Sequence, residues 1–157
     1  MKAKVLISAI LAVALLAVSC GSRTVLDETV PFANNCWKRF EPVEFTIPKV
    51  NPDKAYRICL TIRYDTTRLT GSALPLLVMF YADSNEHHTI IPDLELRDQK
   101  GRRLGHTVGQ FCTVCDTIDH YRRFNHAEPY VYKIKQRTSK YELYGVASIQ
   151  MKAETVK

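Results

Sequence analysis

Two cysteines separated by two residues are the sharpest chemical feature of the sequence. The motif reads Cys112-Thr113-Val114-Cys115. A cysteine pair at this spacing can act as a redox couple, supply half of a zinc site, or have a purely structural role. In a redox enzyme the motif opens a helix that follows a strand, and no alternation of strands and helices surrounds it here. We therefore expect a structural role for both residues, in a disulfide or as buried thiols.

A zinc site would need two more ligands at a suitable spacing. The histidines that flank the cysteine motif, His106, His120 and His126, form no second ligand pair. His87 and His88 are adjacent, so on an extended chain they would point in opposite directions and would not chelate one ion. We predict no metal site and no cofactor, and a solvated hairpin loop around the two adjacent histidines.

A fifth cysteine, Cys20, ends a secretory signal. Lys2 and Lys4 give the chain a basic start, and the apolar run Val5–Val18 is broken only by Ser8. This run is shorter than the ~20 residues that cross a bilayer as a helix, so it indicates a cleaved signal rather than a transmembrane anchor. Residues 1–19 are therefore interpreted as a signal peptide.

The position of Cys20 predicts lipidation. A cysteine directly after a small residue, here Ser19, is where the bacterial lipoprotein pathway attaches diacylglycerol and then cleaves. Ala17 departs from the pattern, which prefers Leu, Val or Ile, and the alternative is an ordinary signal whose first mature residue is a cysteine. Each buried CH₂ of an acyl chain contributes ~0.8 kcal/mol, so two or more chains form a stable anchor.

Four cysteines remain in the exported chain, where the compartment allows disulfides. They are Cys36, Cys59, Cys112 and Cys115. Four cysteines permit three full pairings, and the sequence does not choose among them. Cys59 lies on the polar side of a predicted strand, where an unpaired thiol would be a liability. We therefore expect fewer than four free thiols.

The charge and length of the mature chain indicate one small domain and require no particular class of partner. Loss of Lys2 and Lys4 lowers the formal net charge from +6 to +4, which permits contact with anionic headgroups but does not require nucleic acid. Residues 20–35 are polar and predict a lipidated N-terminus followed by a linker. Residues 36–157 suit one domain that is long enough to bury a core.

Alternating apolar and polar residues predict a domain made of strands. Leu74–Tyr81 differs, because it is apolar on both faces, which indicates a strand in the middle of the core or under a second layer. Residues 106–125 show no clear pattern, and Gly145 suggests a bulge or a tight approach. We predict an antiparallel β-sandwich, with a closed barrel as the alternative. The other predicted strands are Val43–Ile47, Tyr56–Tyr64, Asp93–Arg97, Tyr130–Lys135 and Leu143–Glu154.

Signatures of catalysis are missing from the sequence, which has no GxSxG, HExxH, P-loop or GxGxxG motif. We therefore predict a protein that is not an enzyme. Lys133, Lys135 and Arg137 fall on alternate positions and predict a basic face that contacts anionic headgroups or an acidic partner. The alternative is a solvated sheet face, or an edge strand that charge protects from aggregation.

The order of features from Trp37 onward resembles the gliding-motility lipoprotein H (GldH) family of Bacteroidetes. The aromatic start Trp37–Phe40, the strand Tyr56–Tyr64 and the turn Leu94–Gly105 are similar to features of that family. The ending resembles the family's closing hairpin, with Tyr130–Gln136 and then Leu143–Val146.

The resemblance implies a non-enzymatic, membrane-anchored accessory of the gliding apparatus, which is tied to type IX secretion and binds other envelope proteins. Lipoproteins of the Bacteroidetes type that are sent to the cell surface often carry acidic residues just after the lipidated cysteine. Gly21–Thr24 contain none, so we expect a periplasm-facing protein. The alternative function is a ligand- or carbohydrate-binding lipoprotein that stacks its ligand on exposed tyrosines and Trp37. A protein binder should expose a flat face or an edge strand, whereas a ligand binder should expose an aromatic-lined pocket.

The lipid anchor is tested by replacing Cys20 with alanine. Without the thiol there is no attachment point, so we expect either a soluble domain or an unprocessed precursor when cells are fractionated and the chain is detected by immunoblot. A variant that is correctly cleaved and still fractionates with membranes would contradict the predicted anchor.

Overall fold

The computed structural model describes residues 23–156, so the predicted signal peptide and Cys20 lie outside the described residues. Within this range the chain forms twelve strands and one short 3₁₀ helix, Ala33–Asn35, and no helix is long and apolar enough to cross a membrane. The strands are β1 Thr24–Pro31, β2 Cys36–Lys38, β3 Val43–Ile47, β4 Ala55–Asp65, β5 Ala73–Tyr81, β6 His87–Ile90, β7 Asp93–Glu95, β8 His106–Val108, β9 Phe111–Arg123, β10 Tyr130–Gln136, β11 Glu142–Tyr144 and β12 Val146–Thr155.

The strands form two main antiparallel sheets that share one core, which confirms the predicted antiparallel β-sandwich. The first sheet has the order β1-β12-β4-β9-β8. The second sheet has the order β3-β10-β5-β6, and β7 also pairs with β5. A small ribbon of β2 and β11 lies at one end. The end of the sandwich with this ribbon is called the ribbon end below, and the end where β1 begins is called the anchor end.

The core is built from the inward half of each alternating strand. On β4, Ile58, Leu60 and Ile62 are fully buried, and the second sheet contributes Val78 and Phe80 from β5. Fully burying one such side chain contributes about 1.5–3 kcal/mol.

A group of aromatic rings joins the two sheets near the anchor end. Phe124 follows β9 of the first sheet, and its ring centroid lies 4.3 Å from that of Tyr130, on β10 of the second sheet. Phe124 also lies 5.5 Å from Tyr56 and 6.0 Å from Phe80. Tilted and edge-on aromatic pairs of this kind add about 0.5–1.5 kcal/mol each beyond their buried area.

Most of the predicted strands are confirmed, and the last one is divided. Gly145 separates β11 from β12 and has a φ of +101°. A Cβ there would lie 2.9 Å from Cβ of Arg68, which confirms the tight approach. The glycine also links the ribbon to the sandwich, since its N–H donates to Asn35 and its carbonyl accepts from Asp65, both at 2.7 Å.

The prediction of a linker over residues 20–35 is wrong for the part that forms β1. Thr24–Pro31 pairs along its length with β12, from Thr24 opposite Glu154 to Pro31 opposite Ser148. Most side chains of this edge strand are exposed or half-buried. Backbone hydrogen bonds hold the strand, so its side chains carry no alternating pattern.

The segment without a clear pattern, residues 106–125, contains β9, which at 13 residues is the longest strand. Its pairing with β4 shifts register twice, on either side of Ile58. Each shift moves the following side chains to the other face of the sheet, so apolar alternation is lost in the second half of β9. This is why the strand was not recognised from the sequence.

Gly105 provides a test of the packing between β8 and β9. A Cβ at Gly105 would lie 2.2 Å from the carbonyl oxygen of Thr113, whereas a Cβ at Gly101 would meet nothing within 4 Å. Both glycines have positive φ, +82° and +78°, so alanine carries a similar backbone cost of about 1–2 kcal/mol at each. We expect Gly105→Ala to lower the free energy of unfolding by about 1–3 kcal/mol more than Gly101→Ala, because only the first is overpacked. Urea unfolding measures both, and equal losses would contradict the described packing.

Candidate functional site

The outer faces of the two sheets differ in chemistry. On the first sheet, the outward positions of β4 and β12 are mainly polar or charged, and Thr61 lies opposite Gln150 at the centre. On the second sheet, the outward positions of β5 are apolar and are called the apolar stripe. The apolar stripe is Pro75, Leu77, Met79 and Tyr81.

Exposure alone does not explain this difference. Leu77 and Met79 are half-buried, as are Thr61 and Gln150 on the other sheet, and Tyr81 is 39% exposed. The outer faces of the two sheets are therefore similarly accessible to solvent but opposite in polarity. The sequence predicted that β5 would lie in the core or under a second layer. Its inward face does line the core, but no layer of residues 23–156 covers its outward face.

Two of the predicted basic residues lie beside the apolar stripe. Lys133 is directly opposite Met79, and Lys135 is directly opposite Leu77. The ammonium of Lys133 lies 2.7 Å from Oε1 of Glu44 and 5.7 Å from the centroid of the Tyr81 ring. The hydrogen bond to Glu44 raises the pKa of Lys133. Both lysines are half-buried.

Arg137 is only partly grouped with the two lysines. It lies one residue beyond the end of β10, it is exposed, and its backbone N–H donates to the carbonyl of Pro75 at 2.8 Å. Because β10 lies between β3 and β5, the alternative of a charged edge strand is wrong. The structure instead places Lys133 and Lys135 in the interior of a sheet, on its outer face.

The apolar stripe together with Val131, Lys133 and Lys135 is called the basic–apolar face. Val131 is directly opposite Tyr81 and shares its side of the sheet. Partly exposed apolar groups with charges at their margin are typical of surfaces that bind other proteins. This face suits a partner whose own apolar patch has carboxylates at its edge.

The two cysteines of the CxxC motif point to opposite sides of β9. Cys112 is fully buried, and its thiol donates to the carbonyl of Leu104 at 3.1 Å, whereas Cys115 is exposed. Side chains three residues apart on a strand lie on opposite faces. A disulfide between the two, or one metal ion held by both, would require the backbone to move.

The structure pairs none of the four candidate disulfide residues. Cys59 lies opposite Thr117, with its sulfur 3.4 Å from Oγ1 of that residue. Cys36 lies on β2, where burial raises the pKa of its thiol. All four are free thiols, so the predicted disulfide is absent, and the expectation of a buried thiol is met at Cys112.

The histidines named in the sequence analysis do not form a cluster in the part of the chain that the structure describes. His87 and His88 belong to strand β6 rather than to a loop, and the ring of His88 lies 5.7 Å from that of Phe80 on the core side. In the preceding turn, the N–H of Ala82 donates to the carbonyl of Glu86 at 3.0 Å, and the N–H of Asn85 donates to the carbonyl of Ala82 at 3.1 Å. Among residues 23–156 there is no group of three or more His, Cys, Asp or Glu side chains arranged to hold a metal ion.

Trp37 is not available for ligand stacking. Its side chain is fully buried, its ring stacks on Phe32 with centroids 5.0 Å apart, and its Nε1 donates to the carbonyl of Glu41. Four of the eight tyrosines are buried as well. The ligand-binding alternative therefore loses Trp37 and half of the tyrosines, while Tyr81, Tyr121, Tyr141 and Tyr144 are exposed. The buried tyrosines are Tyr56, Tyr64, Tyr130 and Tyr132.

A family model described as GldH lipoprotein matches residues 24–152, which run from the first residue of β1 into β12. The chain belongs to the GldH lipoprotein family. This confirms the resemblance seen in the sequence, and it identifies the protein as a membrane-anchored lipoprotein of the cell envelope.

Other comparisons add little. No curated protein matches the sequence. One solved chain, from a crystal structure of the T13 IBDV viral particle, is similar at 14% identity and a TM-score of 0.35. The match covers 87% of this chain but only 32% of the viral chain, and it is too weak to indicate a shared fold or role.

The basic–apolar face was only half recognised from the sequence. The sequence shows the alternation of Lys133 and Lys135, and it also shows the run of β5 that is apolar on both faces. That the two would be adjacent depends on the pairing of β10 with β5, which no local pattern reports.

Thiol reactivity tests the placement of the cysteines. In the folded protein we expect a maleimide to modify Cys115 quickly and Cys112 at least roughly 1,000-fold more slowly, because a core thiol reacts only when the domain opens. After denaturation without reductant, all four of Cys36, Cys59, Cys112 and Cys115 should be alkylated, as read by mass spectrometry. Any pair that resists alkylation until a reductant is added would contradict the described arrangement.

Proposed function

We propose that this GldH-family lipoprotein is a non-enzymatic accessory of envelope motility or secretion machinery. It is anchored through lipid on Cys20, faces the periplasm, and acts by binding a protein partner with its basic–apolar face. The family match supports the anchor and the envelope location. The surface chemistry of the second sheet supports binding as the mode of action.

The observation that carries the proposal is the apolar stripe on β5. A solvated sheet face normally alternates with the core face in polarity, as it does on β4. On β5 the chain instead places Leu77, Met79 and Tyr81 outward, where covering each square ångström of apolar surface would contribute about 25 cal/mol. A partner that covers the stripe therefore gains this contribution to the free energy of binding.

The basic residues give the partner a direction of approach. Glu44 pairs with Lys133, while Lys135 makes no ion pair within the described residues. A carboxylate on the partner could therefore meet Lys135 without displacing an internal ion pair. Charges at the margin of an interface contribute mainly to association rate and specificity.

The short connection to the lipid supports an envelope partner. β1 begins at Thr24, four residues after Cys20, and four extended residues span at most about 14 Å. The domain is therefore held close to the membrane surface rather than on a long linker, and its partners are molecules that come within reach of that surface.

Site-specific crosslinking in cells tests the proposal. A photo-crosslinking residue at Met79 in the full-length chain should give one partner adduct, and the same residue at Gln150, on the polar face of the first sheet, should give none. The triple variant Lys133→Glu, Lys135→Glu, Arg137→Glu should reduce the Met79 adduct by roughly tenfold, equivalent to about 1.4 kcal/mol.

The same triple variant should remain folded. Lys133→Glu places a carboxylate opposite Glu44, and like charges directly opposite on a sheet cost only up to about 1 kcal/mol. A matched control reverses three cations near the ribbon end, Arg39→Glu, Arg68→Glu and Lys140→Glu, and should keep the adduct. Equal adducts at Met79 and Gln150, or equal losses in the two triple variants, would contradict the basic–apolar face as the docking site.

A further inference from the structure

A groove at the anchor end of the sandwich gathers three cations from two separate segments. Arg23 precedes β1, while Lys49 and Lys54 lie in the loop between β3 and β4. The groove has a volume of about 320 Å³ and is called the basic groove. Its other lining residues are Val25, Val50, Asn51, Tyr56 and Thr155.

Hydrogen bonds hold the backbone of the basic groove in place. Arg23 and Thr155 are joined twice, since the N–H of each donates to an oxygen of the other at 2.9 Å. On the other wall, the backbone N–H of Asn51 donates to the hydroxyl of Tyr56 at 2.7 Å. The backbone N–H of Lys54 donates to the carbonyl of Asn51 at 3.0 Å. Tyr56 is itself buried in the core. The groove is therefore part of the folded sandwich rather than a chance approach of loops.

The three cations have no carboxylate partner within the described residues. None of the ion pairs among residues 23–156 includes Arg23, Lys49 or Lys54. The nearby Glu154 is engaged by Arg57 and by Lys152.

One acid, Asp53, belongs to the loop of residues 49–54, which also contains Lys49 and Lys54. Asp53 does not line the groove. The loop therefore keeps a net positive charge, and Arg23 adds to it across the groove.

The position of the basic groove relative to the lipid determines what it meets. Arg23 is three residues after Cys20, and three extended residues span at most about 11 Å. With lipid on Cys20, as proposed above, the groove lies at the height of the headgroups. At that surface the most abundant anions are lipid phosphates.

We infer that the basic groove binds the phosphate of an anionic lipid headgroup, through Arg23, Lys49 and Lys54. This second contact with the bilayer restricts rotation of the domain about its lipid anchor. It therefore presents the basic–apolar face at a defined angle to the membrane. The inference rests on the lipid anchor of the proposed function, but it does not depend on which partner the face binds.

Vesicle binding tests the inference on residues 21–157, produced without signal peptide or lipid. The core described above lies entirely within residues 23–156, so this chain keeps its packing. We expect binding to vesicles of equal parts phosphatidylglycerol and phosphatidylcholine, measured by sedimentation, and little binding to pure phosphatidylcholine. The variant Arg23→Gln, Lys49→Gln, Lys54→Gln should bind the anionic vesicles roughly 100-fold more weakly, since each cation near an anionic surface contributes about fivefold.

A matched control removes the same charge from the ribbon end, with Arg39→Gln, Arg68→Gln and Lys140→Gln. These residues lie roughly 35 Å from the basic groove, about the length of the 11-residue β4 at about 3.3 Å per residue. Their loss should change binding by less than about threefold, because charges beyond a Debye length of about 8 Å are screened. Thermal unfolding checks that both triple variants are folded.

Equal losses in the two triple variants would overturn the inference, because net charge alone would then explain binding. So would equal wild-type binding to both kinds of vesicle, or binding of inorganic phosphate without a preference for anionic vesicles. Failure here with an intact Met79 crosslink would leave the proposed function standing. Loss of the crosslink with intact vesicle binding would contradict the proposed docking site and leave the headgroup site standing.

Discussion

The structure depends on β4, whose inward side chains form the centre of the core and whose two edges are both paired. It lies in the middle of the first sheet, between β12 and β9. Its inward residues, from Tyr56 to Tyr64, are at most 2% exposed. Removing this strand would expose the inner face of the second sheet and separate the β1–β12 pair from the β9–β8 pair. The strict alternation of β4 therefore sets the register on which β12 and β9 are built.

The proposed docking surface follows from a departure from that alternation. β5 supplies core residues on one side, as β4 does, but its other side is also apolar. In a two-layer sandwich only one side of a strand can face the core, so the second apolar side must face outward. Lys133 and Lys135 lie beside this side, opposite Met79 and Leu77. In the proposed function, a partner that covers this surface gains the free energy of burying its apolar groups.

In the proposed function, the anchor end is the part of the fold that faces the membrane. β1 is an edge strand of the first sheet, and it starts four residues after Cys20. Because β1 is paired with β12, a ladder of backbone hydrogen bonds fixes the start of this strand on the first sheet. The basic groove is formed where β1 begins, so the proposed headgroup site belongs to the sandwich itself.

The sequence by itself determined the strands whose burial alternates locally, such as β3, β4 and β10, and with them the sandwich. It also carried the family resemblance and the basic alternation of Lys133 and Lys135, and it predicts a signal peptide that ends before Cys20. These features are readable because side-chain period and local motifs are properties of neighbouring residues. Cys20 itself lies outside the described residues, so its lipidation stays a prediction.

Only the tertiary structure decided the features that depend on distant pairing. β1 is held by backbone bonds to β12, with Pro31 opposite Ser148, and such bonds leave no mark in the side chains of either strand. The faces of Cys112 and Cys115 depend on where β9 is paired, and the pairing of β10 with β5 brings the basic and apolar residues together. Arg23 and Lys54 line the same groove for the same reason. The positions of residues far apart in the chain are set by the packing of the whole sandwich, which no local pattern encodes.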